Sequence, residues 1–297
     1  MFTKDSATEF FIKLQNEICY SLEQVDGKAK FHEDIWEREG GGGGRTRVMQ
    51  NGNVIEKGGV NFSAVYGKLP ENIKKALQVN EEDFFATGVS IVMHPENPFV
   101  PIIHMNVRYF ELSDKTRWFG GGIDLTPHYI NTEQAKYFHQ QLKNTCDKFD
   151  PDYYPKFKKW ADDYFFIKHR GEARGIGGIF FDRLSDNSTK TIEEIFEFVK
   201  AVGETFVPTY CHLIEWNKKT PYTQQHKDWQ MIRRGRYVEF NLVYDKGTKF
   251  GLDTNGRIES ILMSLPLQAG WPYNFIPEPQ SEEEFTTKLL KNPTNWI

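Results

Sequence analysis

Residues 89–126, VSIVMHPENPFVPIIHMNVRYFELSDKTRWFGGGIDLT, decide the fold. Two apolar runs, 89–94 and 102–110, flank a proline-rich connection. Side chains alternate between two faces along a β-strand. In the second run one face is apolar, with Ile103, Met105, Val107 and Tyr109, and the other is polar, with His104, Asn106 and Arg108. The pattern predicts two β-strands joined by a turn in which proline interrupts the hydrogen-bonded ladder.

The polar face of the second run has unusual chemistry for a solvated strand. His104 is a proton carrier, Asn106 an amide and Arg108 a fixed positive fork. An ordinary solvated face accounts equally well for these three alone. The following WFGGGID adds glycines that allow close backbone approach. It ends at Asp124, whose apolar neighbours Ile123 and Leu125 make it a candidate for a perturbed pKa.

Periodicity elsewhere predicts helices and further strands. Helices are expected at 5–25 (capped by Ser6 and Glu9), 131–149, 155–169, 191–207 (continuing past Pro208 to Trp216) and 282–290. Strands are expected at 47–50, 54–56, 60–66, 237–245 and 258–265, with Asn51-Gly52 as a hairpin turn. Strands outnumber long helices, which indicates an α+β fold, an antiparallel sheet covered by helices. Residues 1–297 show neither a repeat nor a clear linker, so we expect a single domain.

Five consecutive glycines, Gly40 to Gly44, precede Arg45 and Arg47. They are typical of a flexible linker. They also suit a mobile flap whose backbone amides and arginines meet an anion. No Gly-Lys-Ser/Thr follows, so the run is not a nucleotide phosphate loop. The sequence leaves the linker and the flap open.

Composition excludes several classes of function. The 37 basic and 41 acidic residues give a net charge of −4, which provides no electrostatic case for nucleic acid binding. The three cysteines are widely spaced and favour a reducing compartment. No run reaches the length of a membrane span. The N-terminus lacks the pattern of a secretory or transit peptide, so we expect a soluble, cytoplasmic protein.

The motifs HMNVRYFE and WFGGGIDLTP resemble the oxygen-dependent coproporphyrinogen III oxidases of haem (porphyrin) biosynthesis. Four further stretches agree, in order along the chain: GGGGGRTRV with EKGGVNFSAVYG, KHRGEARGIGGIFFD, RRGRYVEFNLVYDKGTKFGL and TNGRIESILMSLP. The resemblance implies a large, flat antiparallel sheet with α-helices on both faces, and a homodimer. The alternation in 237–245 fits a strand at the dimer contact.

The resemblance also implies an enzyme, an oxidoreductase that uses dioxygen. It converts two propionates of coproporphyrinogen III into vinyl groups by oxidative decarboxylation and yields protoporphyrinogen IX. By motif position, the substrate-binding residues are Ser90, Asn106, Val107, Arg108, Asn255, Gly256 and Arg257. His104 matches the proton donor, and Asp124 a carboxylate that acts on pyrrole nitrogens. Catalysis is thus expected from His104, Asp124 and Arg108.

Four histidines, His94, His104, His139 and His169, match positions that are sometimes interpreted as metal ligands in this family. Their spacing is not a zinc pattern. We expect that no cofactor is required besides dioxygen as co-substrate, with a divalent metal as the alternative. Two other functions stay open: a metal-dependent oxygenase or hydrolase built on the four histidines, and a non-catalytic tetrapyrrole-binding protein.

Overall fold

The computed structural model describes residues 2–69, 71, 74, 83–253, 256–292 and 294–297. Within this part of the chain, one antiparallel sheet of seven strands forms the centre. Its spatial order is β1 (His32–Glu37), β2 (Gly42–Gln50), β3 (Ile55–Lys68), β4 (Asp83–Pro95), β5 (Ile102–Leu112), β6 (Arg117–Thr126) and β9 (Gly178–Leu184). The first six strands neighbour one another in chain order. The predicted α+β class is therefore confirmed.

The remaining elements surround this sheet. The two short strands β7 (Phe166–Ile167) and β8 (Glu172–Ala173) form a separate hairpin. The described helices are α1 (Lys4–Asp26), α2 (Thr132–Asp147), α3 (Tyr153–Tyr164), α4 (Ile192–Asn217), α5 (Gln224–Val243), α6 (Lys246–Asp253), α7 (Ile258–Leu262) and α8 (Glu282–Lys291). None of them combines the length and the apolar character that a membrane span requires.

One face of the sheet is the main hydrophobic core. The predicted apolar face of β5 is completely buried, and α1 and α4 pack across it. Helix α4 begins with the predicted reciprocal cap between Thr191 and Glu194 and runs through Pro208. The predicted cap of α1 is wrong by one turn, because Thr3 and Ser6 cap each other and not Ser6 and Glu9.

The opposite, polar face is partly covered by the C-terminal helices. Tyr237 of α5 packs with Val92 and Ile102 at one end of the sheet. Ser260 of α7 places its Oγ 2.9 Å from Oγ1 of Thr46 on β2. Helices thus lie on both faces, and the middle of the polar face remains partly exposed.

Two predicted strands, 237–245 and 258–265, are wrong. The first lies mostly in helix α5 and the second begins with helix α7. Residues 233, 237 and 241 are buried on one side of α5 at four-residue spacing, whereas Leu242 and Val243 are largely exposed. A short apolar run can fit both periods, and the alternation beginning at Tyr237 favoured the wrong one. No strand in 237–245 is available for a dimer contact.

The glycine run is part of a β-hairpin and not a linker between elements, and its motion as a flap stays a prediction. Gly42 to Gly44 belong to β2, and Gly40 and Gly41 form the turn from β1. Gly41 and Gly42 have φ values of 113° and 78°, which side chains rarely adopt. A Cβ on Gly42 would also lie 2.3 Å from the Ala64 carbonyl oxygen. The glycines are therefore needed for a tight hairpin.

Among the other local predictions, one turn and one helix cap are confirmed and one helix is too long. Asn51-Gly52 is the turn between β2 and β3, as predicted, and Asn51 has φ 58°. Asn131 caps α2, accepting hydrogen bonds from two backbone amides. The predicted helix 155–169 is too long, because α3 ends at Tyr164; His169 lies in the turn between β7 and β8. The single-domain organisation stays a prediction.

Candidate active site

The strand register lines up polar side chains across the sheet. Residues that pair across antiparallel strands share a face, and successive pairs connect Asp34, Thr46, Asn61, Ser90 and Asn106. We call these five residues the polar row. Arg108 and His104 flank Asn106 on the same face of β5. Alternation predicted the β5 part, and pairing with the neighbouring strands extends it over the sheet.

The guanidinium of Arg108 lies at one end of the polar row and is fixed there by two hydrogen bonds. Its Nη1 donates to Asn106 Oδ1 at 2.8 Å and its Nη2 to Asp182 Oδ1 at 2.9 Å. The side chain is nevertheless 38% exposed. A Cβ on Gly120 would lie 2.4 Å from Asp182 Oδ1 and 2.9 Å from Arg108 Nη2. Glycine in WFGGGID thus leaves room for this pair, and the planar fork suits a carboxylate ligand.

His104 is the outermost member of a chain of three charged or titratable side chains. Its Nδ1 lies 2.7 Å from Asp124 Oδ1, and Arg174 Nη2 donates to Asp124 Oδ2 at 2.5 Å. Asp124 is only 2% exposed. Its carboxylate contacts His104 and Arg174, and it lies beside His104 at the paired position of β6, where it is closed off from solvent. This position differs from the expected direct contact with a pyrrole nitrogen.

The electrostatics of this chain fix the ionisation of Asp124. Burial disfavours its charged form, but the Arg174 guanidinium and the hydrogen bond with His104 outweigh that effect and lower the pKa of Asp124 below its ordinary value. An ionised carboxylate can only accept hydrogen bonds. His104 must then donate from Nδ1, so Nε2 is the nitrogen that can accept a proton. The His104 side chain is 23% exposed.

Arg257 lies at the other end of the polar row. It forms an ion pair with Asp34 and donates to Ser260 Oγ at 3.2 Å. Four inter-strand spacings of about 4.8 Å separate Asp34 from Asn106, or roughly 19 Å. Gly256, next to Arg257, is partly exposed and donates its backbone N–H to Gly251. Asn255, also expected to bind substrate, lies outside the described residues.

A cavity of about 190 Å³ adjoins this end of the row and is lined in part by His32, Asp34, Lys57, Arg257 and Glu259. Ser90 and Asn106 pair directly and are both partly exposed. The side chain of Val107 points into the apolar core, where it is completely buried. Only its backbone could take the expected part in substrate binding.

The four candidate metal ligands do not come together. Each occupies a different environment. His94 Nε2 is 2.8 Å from Ser264 O, and His139 contacts Tyr154 Oη and Ile176 O. His169 contacts Tyr244 Oη and Glu239, and His104 contacts Asp124. Burial lowers the pKa of both His94 and His139 to about 3. Across the described ranges, no three His, Cys, Asp or Glu side chains form a metal-binding group.

Two residues of the site, Arg174 and Asp182, were not predicted from the sequence. Arg174 lies within the matched stretch EARGIGG and Asp182 ends IFFD, yet neither follows a periodic pattern that points to the polar face. They are 50 and 74 residues from their partners Asp124 and Arg108. The only sequence signal was their occurrence in glycine-rich motifs that resemble one family.

Fold and site together define an α+β protein with a partly exposed arginine and a His–Asp–Arg chain on the same face of an antiparallel sheet. The chain belongs to the coproporphyrinogen III oxidase family, whose profile matches residues 6–296. It is 51% identical to coproporphyrinogen-III oxidase 1, chloroplastic, of Arabidopsis thaliana, covering 95% of this chain and 76% of the relative. It is 53% identical to the oxygen-dependent mitochondrial enzyme of Rattus norvegicus, covering 96% and 67%, and 52% identical to that of Homo sapiens, covering 96% and 65%.

The same relatives correct the expected location. Those from Arabidopsis thaliana and Glycine max are named chloroplastic, and those from Rattus norvegicus and Homo sapiens mitochondrial. The prediction of a cytoplasmic protein conflicts with these relatives and is wrong by this comparison. The prediction rested on the N-terminal sequence and on the spacing of three cysteines, and neither distinguishes the cytoplasm from the interior of an organelle.

Proposed function

We propose that this chain catalyses the oxygen-dependent oxidative decarboxylation of coproporphyrinogen III to protoporphyrinogen IX, a step of haem biosynthesis. The observation that carries the proposal is the partly exposed Arg108 fork on the same face of β5 as His104, in a chain that is about half identical to enzymes named for this substrate. The names of these relatives also support dioxygen as co-substrate.

The chemistry sets what the site must do. Each reacting propionate, –CH2–CH2–COO⁻, loses carbon dioxide, one proton and two electrons and becomes –CH=CH2. The C–C bond to the carboxylate breaks, and its electron pair forms the alkene as hydrogen leaves the neighbouring carbon. Dioxygen accepts the electrons and protons. The protein must therefore hold a carboxylate, accept a proton and keep an electron-rich pyrrole close to dioxygen.

Arg108 is our proposed ligand for the reacting propionate. Asn106 and Asp182 fix its fork while more than a third of its side chain stays exposed. Because both partners lie on the same face, the fork is oriented before substrate binds, which reduces the entropy lost on binding. Ser90 and Asn106 supply neutral hydrogen-bonding groups beside it. Arg257, at the far end of the polar row, is our proposed ligand for a second propionate.

His104 is our proposed proton carrier. With Nδ1 committed to Asp124, its Nε2 can accept a proton from the substrate, and a positioned histidine contributes about 10²-fold to 10⁴-fold to such steps. We assign Asp124 to act through His104, because the carboxylate is buried beside it and contacts its Nδ1. This replaces a direct role for Asp124 in deprotonating pyrrole N–H.

We also propose that the protein is a homodimer. The segment 267–276 exposes five large apolar side chains, Leu267, Trp271, Tyr273, Phe275 and Ile276. Apolar patches of this kind are typical of interfaces. Sedimentation velocity of Tyr273→Glu/Ile276→Glu should show monomer where the wild type is dimeric. The control Tyr20→Glu, on the exposed face of α1, should stay dimeric; dimers in both variants would contradict this surface.

The activity is tested by incubating chelator-treated protein with coproporphyrinogen III in air and identifying the product by chromatography. We expect protoporphyrinogen IX and two carbon dioxide molecules per substrate. Turnover only after a divalent metal is restored would favour the metal-dependent oxygenase. Tight binding of substrate without carbon dioxide release would favour the non-catalytic tetrapyrrole-binding protein.

A further inference from the structure

Arg174 is a charged side chain that is almost completely removed from water, with 2% of its surface exposed. Its Nη2 donates to Asp124 Oδ2 at 2.5 Å and its Nη1 to Asn241 Oδ1 at 3.0 Å. Its Cζ lies 4.3 Å from the ring centroid of Phe165 and 4.6 Å from that of Tyr237. Burying a guanidinium is costly unless it is paired and hydrogen-bonded. The ion pair with Asp124 and the hydrogen bond to Asn241 satisfy both Nη atoms, and the aromatic rings cover the guanidinium, whereas Nε has no hydrogen-bond partner among the described residues.

The backbone holds this guanidinium in place. The Arg174 amide donates to the Phe165 carbonyl oxygen at 2.9 Å. The next residue, Gly175, passes so close to β6 that a Cβ there would lie 2.3 Å from the Leu125 carbonyl oxygen. Leu125 directly follows Asp124. The segment that carries Arg174 is therefore packed against the residue whose carboxylate it contacts, and the guanidinium has little freedom to move away.

The charge of Arg174 decides the direction of the hydrogen bond between Asp124 and His104. An ionised Asp124 can only accept, so Nδ1 of His104 carries the proton and Nε2 is free to act as a base. A neutral Asp124 could donate to Nδ1 instead, and the proton of the imidazole would move to Nε2. That second tautomer cannot accept a proton at the exposed nitrogen.

Among the described residues, the ionisable groups around Asp124 come from three parts of the chain. From β5 there is His104, from the segment after β8 there is Arg174, and from α5 there is Tyr237, whose pKa is raised by burial so that it stays neutral. Asp245, after the end of α5, acts on Arg174 at longer range and stabilises its charge. Arg174 is thus the cation that balances the buried carboxylate.

We propose that Arg174 is a positioning residue that acts through Asp124 to hold His104 in the tautomer with its proton on Nδ1, leaving Nε2 as the catalytic base. The catalytic consequence rests on the proposed function, whereas the tautomer itself does not. Arg174 contacts neither the polar row nor the open part of the face, so its effect on the reaction would be indirect.

Nuclear magnetic resonance of protein labelled with ¹⁵N-histidine tests the tautomer directly. The resonance of His104 is assigned by its loss in His104→Gln. Near neutral pH the wild type should carry the proton on Nδ1. Arg174→Met should move it to Nε2, and Arg174→Lys, which keeps a charge, should leave it on Nδ1. Arg234→Met is the matched control: Arg234 is a buried arginine paired with Glu56, away from Asp124, and its loss should not change the tautomer.

Activity provides the second readout. Without Arg174 the buried carboxylate loses its counter-charge, so the pH below which Asp124 is protonated should rise. The acidic limb of the kcat profile should then move to higher pH in Arg174→Met, and kcat near neutral pH should fall at least about tenfold. The KM should change little, because Arg108 is untouched. Arg174→Lys should restore the position of the acidic limb.

Three results would overturn the proposal. One is a wild-type His104 with its proton on Nε2, which decides the matter even if Arg174→Met does not fold. Another is a folded Arg174→Met with both tautomer and acidic limb unchanged. The third is an equal change of tautomer in Arg234→Met. If the wild type fails to convert coproporphyrinogen III while the tautomer responds to Arg174 as described, the proposed function fails and the positioning role survives.

Discussion

At the scale of single residues, Gly120 shows how backbone space supports the site. We predict that Gly120→Ala folds, because the added methyl meets the flexible ends of Arg108 and Asp182, which can shift. The displaced fork should bind the propionate less well, so kcat/KM should fall about tenfold or more. Steady-state kinetics check this. Gly247→Ala, where a Cβ meets only Asp245 Oδ2 at 3.3 Å, is the control and should retain wild-type kinetics.

A second prediction concerns Asp124→Asn. The amide can still accept from Arg174, but it donates to Nδ1 of His104 and so selects the tautomer that is not a base. The kcat should fall about 10²-fold to 10⁴-fold while KM changes little. Kinetics together with circular dichroism measure both. A folded variant with normal kcat would show that the carboxylate is not needed, and an unfolded one would indicate a purely structural role.

The part of this site that lies on β5 could be predicted from the sequence. Period-two alternation placed His104, Asn106 and Arg108 together, because a strand puts alternate residues on one face. It could not show that Asp124 is buried next to His104, because the pairing of β5 with β6 brings residues 20 positions apart into contact. The contact of Arg174 with Asp124 could not be predicted from the sequence either. A buried arginine follows no periodic pattern, and its partner is distant in the chain.

At the scale of elements, α7 is the part that closes one end of the polar row. Its N-terminal neighbour Arg257 reaches Asp34, and Ser260 reaches Thr46. We predict that Arg257→Ala raises KM about tenfold or more and leaves kcat nearly unchanged, because the residue contributes binding far from His104. Steady-state kinetics measure the two constants. A large fall in kcat at constant KM would contradict this role in substrate binding.

Elements were predictable where one period dominates. Strand β5 alternates over its length and β4 over residues 89–94, and α4 has both a cap and a continuous stripe. Helix α5 was misassigned because it buries charged residues such as Arg233 and Arg234, which breaks the apolar stripe, and because residues 237–244 happen to alternate. Arg233 pairs with Glu172 and Arg234 with Glu56, and these tertiary contacts stabilise the buried charges. No local sequence pattern predicts such contacts.

At the scale of the whole molecule, buried histidines link stability to pH. The pKa of His94 is about 3 when folded, because burial and Arg234 disfavour its charge, and about 6.5 when unfolded. The neutral His94 therefore contributes fully to the stability of the fold above about pH 6.5, and this contribution is lost as the pH falls towards 3. Lowering the pH from 7 to 5 should reduce the free energy of unfolding by about 2 kcal/mol through this one histidine.

Urea unfolding at the two pH values should therefore show a smaller loss of stability in His94→Gln, by about 2 kcal/mol. Glutamine can still donate to the Ser264 carbonyl oxygen, which helps the variant to fold. His212→Gln is the control, because His212 is exposed, and its stability should depend on pH like that of the wild type. An unchanged dependence in His94→Gln would mean that this histidine is protonated in the folded protein.

The central claim is that the Arg108 end of the polar row binds and decarboxylates the propionate with His104 as the base. The most direct test compares kcat and KM for coproporphyrinogen III in air among the wild type, Arg108→Gln and His104→Gln. We predict that Arg108→Gln lowers kcat/KM mainly by raising KM, and that His104→Gln lowers kcat about 10²-fold or more with KM nearly unchanged. Wild-type constants in both folded variants would contradict the claim and move the reaction to another surface.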